Sequence, residues 1–422
     1  MIRRDFVKHS LQALITASAG SAILDSLSTS AFSLDIPENL SEEEFWAWIR
    51  ECYTVSPNVI NLNNGGVCPM PKTTQDALDK YVRLSNEAPS YYMWRVLDAG
   101  REALRENLAY LAGCSPEEIA INRNSTEGLN TVIFGLDLKR GDEVVLNRYD
   151  YPNMINAWKQ REKRDGIKLN WIEEMNFPME NDEEILQLYL DKMTPATRVV
   201  HITHVINWTG QVLPVKKIAE AARQRGAEVI VDGAHSFGQI DFSISDLSCD
   251  YFATSLHKWL CAPFGSGLMY VRKEKIPKVW ALLSANEPDG GDIRKFESLG
   301  TRSFASEMAI GYSLNLHQLI GTGRKAERLL YLKKMWAKPL MEHPSVHFYN
   351  SFHPQYGCAL ANIHIKNRDA SELEKFLWEK HKIHTVAIHW EKINGVRITP
   401  NVYTSAFEME KLSKAILQFL NV

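Results

Sequence analysis

Short apolar runs alternate with helically spaced segments along most of the chain. Strand-like runs fall at 118–122, 143–147, 198–204, 228–232, 251–255 and 267–271. Most are separated by stretches with apolar residues three and four apart, such as 215–225, which predict helices. Strand–helix alternation kept up over about 200 residues implies a mainly parallel sheet with helices on both faces. Ahead of it, 41–53 predicts a helix: Ser41 can cap it, and Glu42 to Glu44 favour its positive end. After it, 306–343 reads as one long helical stretch. From 345 onward the order is strand, helix (371–381), short strands and a last helix (405–419), which makes a smaller α/β lobe. The expected layout is a leader at 1–33, a segment at 34–60 joining the small domain, a large domain at 61–305, and a linking helix with the small C-terminal domain at 306–422.

The leader has its own signature. Ile2-Arg3-Arg4-Asp5-Phe6-Val7-Lys8 resembles a twin-arginine export signal. The apolar run from Leu11 to Leu24 is diluted by Ser, Thr and Gly, and is too short and too polar to span a bilayer. Ala31-Phe32-Ser33 supplies small residues for a signal peptidase. The expectation is a periplasmic protein, exported already folded through the twin-arginine machinery, with its mature chain starting near Leu34.

Composition removes several classes. The chain has 422 residues, 45% of them hydrophobic, and a net charge of −3, so neither nucleic acid nor an anionic membrane surface is an expected partner. Its six cysteines include no C-x-x-C pair, and they would be folded while still reduced, so disulfides are not expected. His201 and His204 stand three apart. On a strand that offset sends the rings to opposite faces, so no shared metal is expected.

The chemistry begins at Val229-Ile230-Val231-Asp232-Gly233-Ala234-His235, where an apolar strand ends in an acid. In open α/β sheets ligands bind beyond the carboxyl ends of strands. A second strand then ends in Ser255-Leu256-His257-Lys258-Trp259. A lysine hemmed in by Trp259 and Leu260 is partly desolvated, which favours the free, nucleophilic amine. Strand-end Asp, Ser-x-His-Lys, and then Gly265-Ser266-Gly267 in a further strand together resemble the class V aminotransferase family. These are fold-type I pyridoxal-phosphate (PLP) enzymes that include cysteine desulfurases, kynureninases and isopenicillin N epimerase.

The resemblance implies a fold-type I PLP-dependent transferase architecture: a large domain with a mainly parallel sheet, and a smaller C-terminal α/β domain. It makes Lys258 the Schiff-base lysine and base, and Asp232 the partner of the pyridine nitrogen. His235 would sit near the ring hydroxyl, where many relatives have Gln. The PLP phosphate would rest on a helix starting at Ser125 or Thr126, one of them its cap, with Ser255 and His257 as further ligands. Thr301, in Gly300-Thr301, would reach the phosphate of the partner subunit, so a homodimer with shared sites is implied. Tyr151 would cover the ring, with Tyr149 as the rival; Asn207 would lie near the cofactor hydroxyl and the substrate.

Gly395-Val396-Arg397-Ile398-Thr399-Pro400 followed by Tyr403 looks like the isopenicillin N epimerase branch, and Arg397 would bind the substrate carboxylate as a planar fork. Asn64 would line the site from an N-terminal loop. Tyr92, with Tyr91 and Trp94, could shape the substrate pocket or belong to the core. No cysteine falls in 375–396, which disfavours desulfuration. The implied reaction is of the aminotransferase type, on an amino acid or a peptide-linked amino group. The alternatives are epimerisation at Cα, a PLP lyase, or a catalytically idle PLP-binding protein on the same fold.

Overall fold

The computed structural model describes residue 37 and residues 40–421. The expected export leader lies outside the described residues. The large domain carries a seven-stranded sheet made of β1 (Ile119–Asn122), β2 (Glu143–Asn147), β3 (Lys168–Ile172), β4 (Thr197–Thr203), β5 (Glu228–Asp232), β6 (Tyr251–Ser255) and β7 (Gly267–Val271). The strand order is β1-β7-β6-β5-β4-β2-β3. β7 runs antiparallel to both neighbours, and the other pairs are parallel.

Helices cover both faces, as the apolar runs require. Val229, Ile230 and Val231 are all fully buried, although successive side chains leave opposite faces of the sheet. On one face Val229 and Val231 share a core with Ile218, Ala219 and Ala222 of the helix Val215–Gln224. On the other, Ile230 packs with Leu129, Val132 and Trp158 from the helices Ser125–Gly135 and Pro152–Asp165.

The small domain is a four-stranded antiparallel sheet of β8 (Val346–Phe348), β9 (Ala361–Ile365), β10 (Val386–Trp390) and β11 (Ile393–Ile398), in the order β10-β11-β9-β8. The long helical stretch expected at 306–343 is two helices, Phe304–Ile320 and Thr322–Ala337. The break is Gly321, whose φ of +85° lies where side chains beyond glycine are strained. The helix Glu42–Glu51 starts at a Ser41–Glu44 capping box, and it packs Phe45, Trp46 and Ile49 against Trp259 and Tyr403. It therefore joins the lysine loop of the large domain to the small domain. Among the described residues no helix is long and apolar enough to cross a membrane.

Candidate active site

Three parallel strands bring the chemistry together. Register pairs Thr203 with Asp232 and Asp232 with Ala253, so β4 and β5 end at one level and β6 runs two residues further, to Ser255. Beyond those ends lies a cavity of about 250 Å³. Its floor holds Asp232, His235 and Lys258; one end holds Ser125, Thr126, Ser255 and His257; the other holds Asn207 and Arg397, with Tyr151 over the top. Ten of the residues singled out from the sequence thus share one cavity.

At the floor, Asp232 is buried and accepts a hydrogen bond from Ala234 N at 2.9 Å. The turn is tight: a Cβ on Gly233 would collide with the Phe252 ring. Burial pushes the Asp232 carboxyl up from its ordinary range, while the Ala234 N–H and Lys258 oppose it. Such a carboxylate suits a cation in the cavity. Burial also brings the Lys258 amine down from 10.5 to about 8, helped by Arg397 and opposed by Asp232. Lys258 Nζ lies 3.0 Å from His235 Nε2 and 5.9 Å from the centre of the Tyr151 ring. His235 is pushed well below the usual imidazole value, first by burial and then by Lys258 and Arg397.

The end that holds Ser125 and Thr126 is a helix start. The cap is Asn124, whose side chain accepts from Glu127 N at 2.8 Å; Ser125 is the first helical residue, so neither Ser125 nor Thr126 is the cap. Moving the cap back one position places Ser125 and Thr126 in the first turn. There their side chains face the cavity, and the backbone N–H groups lie at the positive helix end. Ser125 N donates to Ser255 Oγ at 2.9 Å, tying this turn to the lysine strand. His257 Nδ1 donates to the carbonyl of Ser266 at 3.1 Å.

The Tyr149–Tyr151 alternative resolves on geometry. Tyr149 is fully buried, edge-on to Phe177 at 4.9 Å, and belongs to the core. Tyr151 stands just ahead of Pro152, the first residue of its helix, and its ring is 39% exposed over the cavity. Asp150 holds that turn: it accepts from Asn147 N at 2.9 Å, Asn147 Nδ2 at 3.0 Å and Thr203 Oγ1 at 2.7 Å.

Arg397, on β11, is the small domain's contribution. Its Nη1 donates to the Asn207 carbonyl and its Nη2 to Asn63 Oδ1, both at 3.1 Å. Arg397 Nε and Asn207 Oδ1 are buried and have no hydrogen-bond partner. Burial lowers the guanidinium to about 10. A buried guanidinium lining a cavity is suited to an anion there.

Three singled-out residues lie outside the cavity. Asn64 is buried behind it: its Nδ2 donates to Thr399 O at 2.7 Å and its Oδ1 accepts from Tyr403 OH at 2.6 Å. It braces the loop whose Gly65 and Gly66 do line the cavity. Gly65 lies close to Thr399 and Arg397: a Cβ there would come within 3.1 Å of Thr399 Cγ2. Tyr92 packs edge-on to Tyr91 at 5.3 Å in an irregular helical turn. Thr301 is exposed after Gly300, which has φ +70°, and does not enter its own chain's cavity. Thr203 lines the cavity without having been singled out; Asn63 was read only as part of the N-terminal loop and Trp259 only as the neighbour that desolvates the lysine. Among the described residues no cluster could hold a metal ion.

The residues present fit PLP. A carboxyl (Asp232), an amine (Lys258), a helix start (Ser125, Thr126) and an aromatic ring (Tyr151) line one cavity. A parallel α/β sheet with a desolvated lysine at its carboxyl edge defines a lysine-centred cofactor enzyme. The chain belongs to the aminotransferase class V family, which matches residues 60–389, and pyridoxal 5'-phosphate is the cofactor of that family. It is 28% identical to the isopenicillin N epimerase of Streptomyces clavuligerus over 388 residues, covering 88% of this chain and 97% of that protein. A probable cysteine desulfurase of Halalkalibacterium halodurans is 31% identical over 229 residues, covering 52% of this chain and 55% of its own. Among solved structures, apo cysteine desulfurase from Thermococcus onnurineus has a TM-score of 0.77 at 23% identity, covering 88% of this chain and 97% of that one. The fold is therefore that of fold-type I PLP enzymes.

Proposed function

We propose that this protein is a PLP-dependent enzyme acting on an amino acid or a peptide-linked amino group in an aminotransferase-type reaction. The carrying observation is that Lys258, its amine brought down to about 8, and the buried guanidinium of Arg397 line the same cavity. Bound PLP supplies an electron sink for charge developing at the substrate Cα. Lys258 then holds the cofactor and moves the Cα proton. Asp232 would hold the protonated ring nitrogen, His235 would meet the ring hydroxyl, and Ser125, Thr126, Ser255 and His257 would take the phosphate. Arg397 orients the substrate carboxylate, and Tyr151 excludes water from one face. Incubation with amino donors should release a stoichiometric keto acid and bleach the visible cofactor band, and added keto acid should restore it. Failure of every donor to do so sinks this reading.

A second reading is epimerisation at Cα. It is favoured by the likeness to isopenicillin N epimerase along nearly all of both chains. Deuterium entering Cα from solvent without keto acid would select it. No cysteine lines the cavity, which supports neither reading but argues against desulfuration. We further infer a homodimer in which Thr301 serves the partner's phosphate, consistent with its exposure, and export to the periplasm on the strength of Arg3-Arg4. Mixing inactive Lys258→Ala and Thr301→Ala subunits should restore activity in the hybrid dimer, and finding the protein in a spheroplast supernatant would support export.

A further inference from the structure

We propose that Trp259 is a positioning residue: its indole fixes the His235 tautomer so that His235 can only donate to Lys258, holding Lys258 as a free amine. This rests on Lys258 being the cofactor lysine. Trp259 Nε1 lies 3.3 Å from His235 Nδ1, and His235 Nε2 lies 3.0 Å from Lys258 Nζ. An indole N–H donates and never accepts. His235 Nδ1 must therefore accept, which places the ring proton on Nε2. An Nε2–H facing Nζ needs a lone pair there, and an ammonium has none. The chain of donors runs Trp259 to His235 to Lys258, and it has one direction.

The surroundings keep it that way. Trp259 is fully buried with Phe45, Trp46 and Tyr403, so its ring has no room to turn away. Gln239 Nε2 holds the His235 backbone carbonyl, fixing the residue from behind. Protonation of His235 would set two donors against Trp259 and Lys258, and burial already opposes it. The charged and titratable groups around Lys258 are Asp232 and Cys68, which favour the ammonium, Arg397, which opposes it, and the side chains of His235, His257 and Tyr151. Desolvation alone acts on any buried lysine. The donor chain adds a directional contribution at this one atom.

The test uses full-length protein with ¹⁵N-labelled histidine, as purified and after removal of cofactor, in wild type, Trp259→Phe, His235→Gln and His235→Met. Wild-type His235 should show an acceptor Nδ1 and a protonated Nε2 above the Lys258 midpoint, at pH 8–9. Trp259→Phe should mix the tautomers. The midpoint pH for capture of added PLP by Lys258 should then rise by about one unit, a roughly tenfold loss of rate below it. Gln can accept from the indole and donate to the amine, so His235→Gln should keep the wild-type midpoint while His235→Met loses it. A wild-type Nδ1–H tautomer, or a Trp259→Phe spectrum identical to wild type, overturns the proposal. If Trp259→Phe does not fold, equal midpoints in the Gln and Met variants overturn it. Borohydride reduction separates the premise: no PLP adduct on Lys258 would sink the cofactor assignment, whatever the tautomer result.

Discussion

Arg397 Nη1 donates to the backbone carbonyl of Asn207 at 3.1 Å, so a guanidinium of the small domain is held by a loop of the large one. The same loop leaves Asn207 Oδ1 unpartnered beside it. The carboxylate end of the cavity therefore exists only when the two domains are packed together.

Arg397→Leu should weaken carboxylate substrates on the order of a hundredfold or more in kcat/KM, from the roughly 2–5 kcal/mol lost when one partner of a buried charge pair is truncated. PLP binding should be nearly unchanged, as read by cofactor titration. Arg397→Lys should recover only part of the loss, because a point charge replaces the planar fork. Equal loss of cofactor affinity would reassign the residue to the phosphate or the fold.

Lys258 gives a pH prediction. Its amine sits at about 8 against an ordinary 10.5. Below about 8 it carries a proton and cannot attack; above, it is free. Capture of PLP by cofactor-stripped enzyme should rise with pH through a midpoint near 8. Between about 8 and 10.5 the unfolded chain binds more protons at this group than the native one, so its contribution to stability rises with pH across that window. Lys258→Ala should remove the reactive midpoint and any borohydride adduct. A midpoint that stays near 10.5 in the wild type would show the cavity to be wet.

Ser255→Ala removes the acceptor for Ser125 N and opens the phosphate end. The expected result is about tenfold weaker PLP, since an unsatisfied buried donor costs roughly 1–3 kcal/mol. Protection by inorganic phosphate should weaken in parallel. Loss of PLP affinity without any change in phosphate binding would move the phosphate elsewhere.

Glu297 is the stability prediction. Its buried carboxylate accepts from Arg105 at 2.6 and 2.9 Å and from Ile121 N at 2.7 Å, and pairs with Arg101 at 2.9 Å. Glu297→Leu strands buried guanidinium groups, which typically costs about 3–5 kcal/mol. Chemical denaturation should show that loss, with β1 and the following helix start destabilised first by hydrogen exchange. A change under about 1 kcal/mol would mean that water or a rearranged acid replaces it.

Much of this was legible locally. Asp232 and Lys258 could be placed at strand ends because a fully apolar strand reports its own end, and strand ends in a parallel sheet lie on one edge; the roles expected of them came from the family resemblance. The order of strands and helices followed from periodicity for the same reason. The helix at 125–135 was legible, but its cap was not: Asn124, Ser125 and Thr126 can each cap, and the choice fell to the backbone geometry that lets Asn124 reach Glu127 N. Local sequence also left Tyr149 and Tyr151 equal. They separated because Asp150 bonds to Asn147 and Thr203, which turns one ring inward to Phe177 and the other over the cavity.

By itself the sequence determined the order of strands and helices, because that rests on a repeating pattern; the roles expected of Lys258, Asp232 and the helix start at 125 came from the resemblance of their motifs to the class V aminotransferase family. Tertiary structure decided the rest. Asn63 meeting Arg397 and Asn64 spent on Thr399 and Tyr403 depend on atoms far apart in the chain. So does the proton on His235: Trp259 dictates it across a 3.3 Å contact. A hydrogen bond's direction is fixed by which groups packing brings within reach, and no spacing along the chain encodes that.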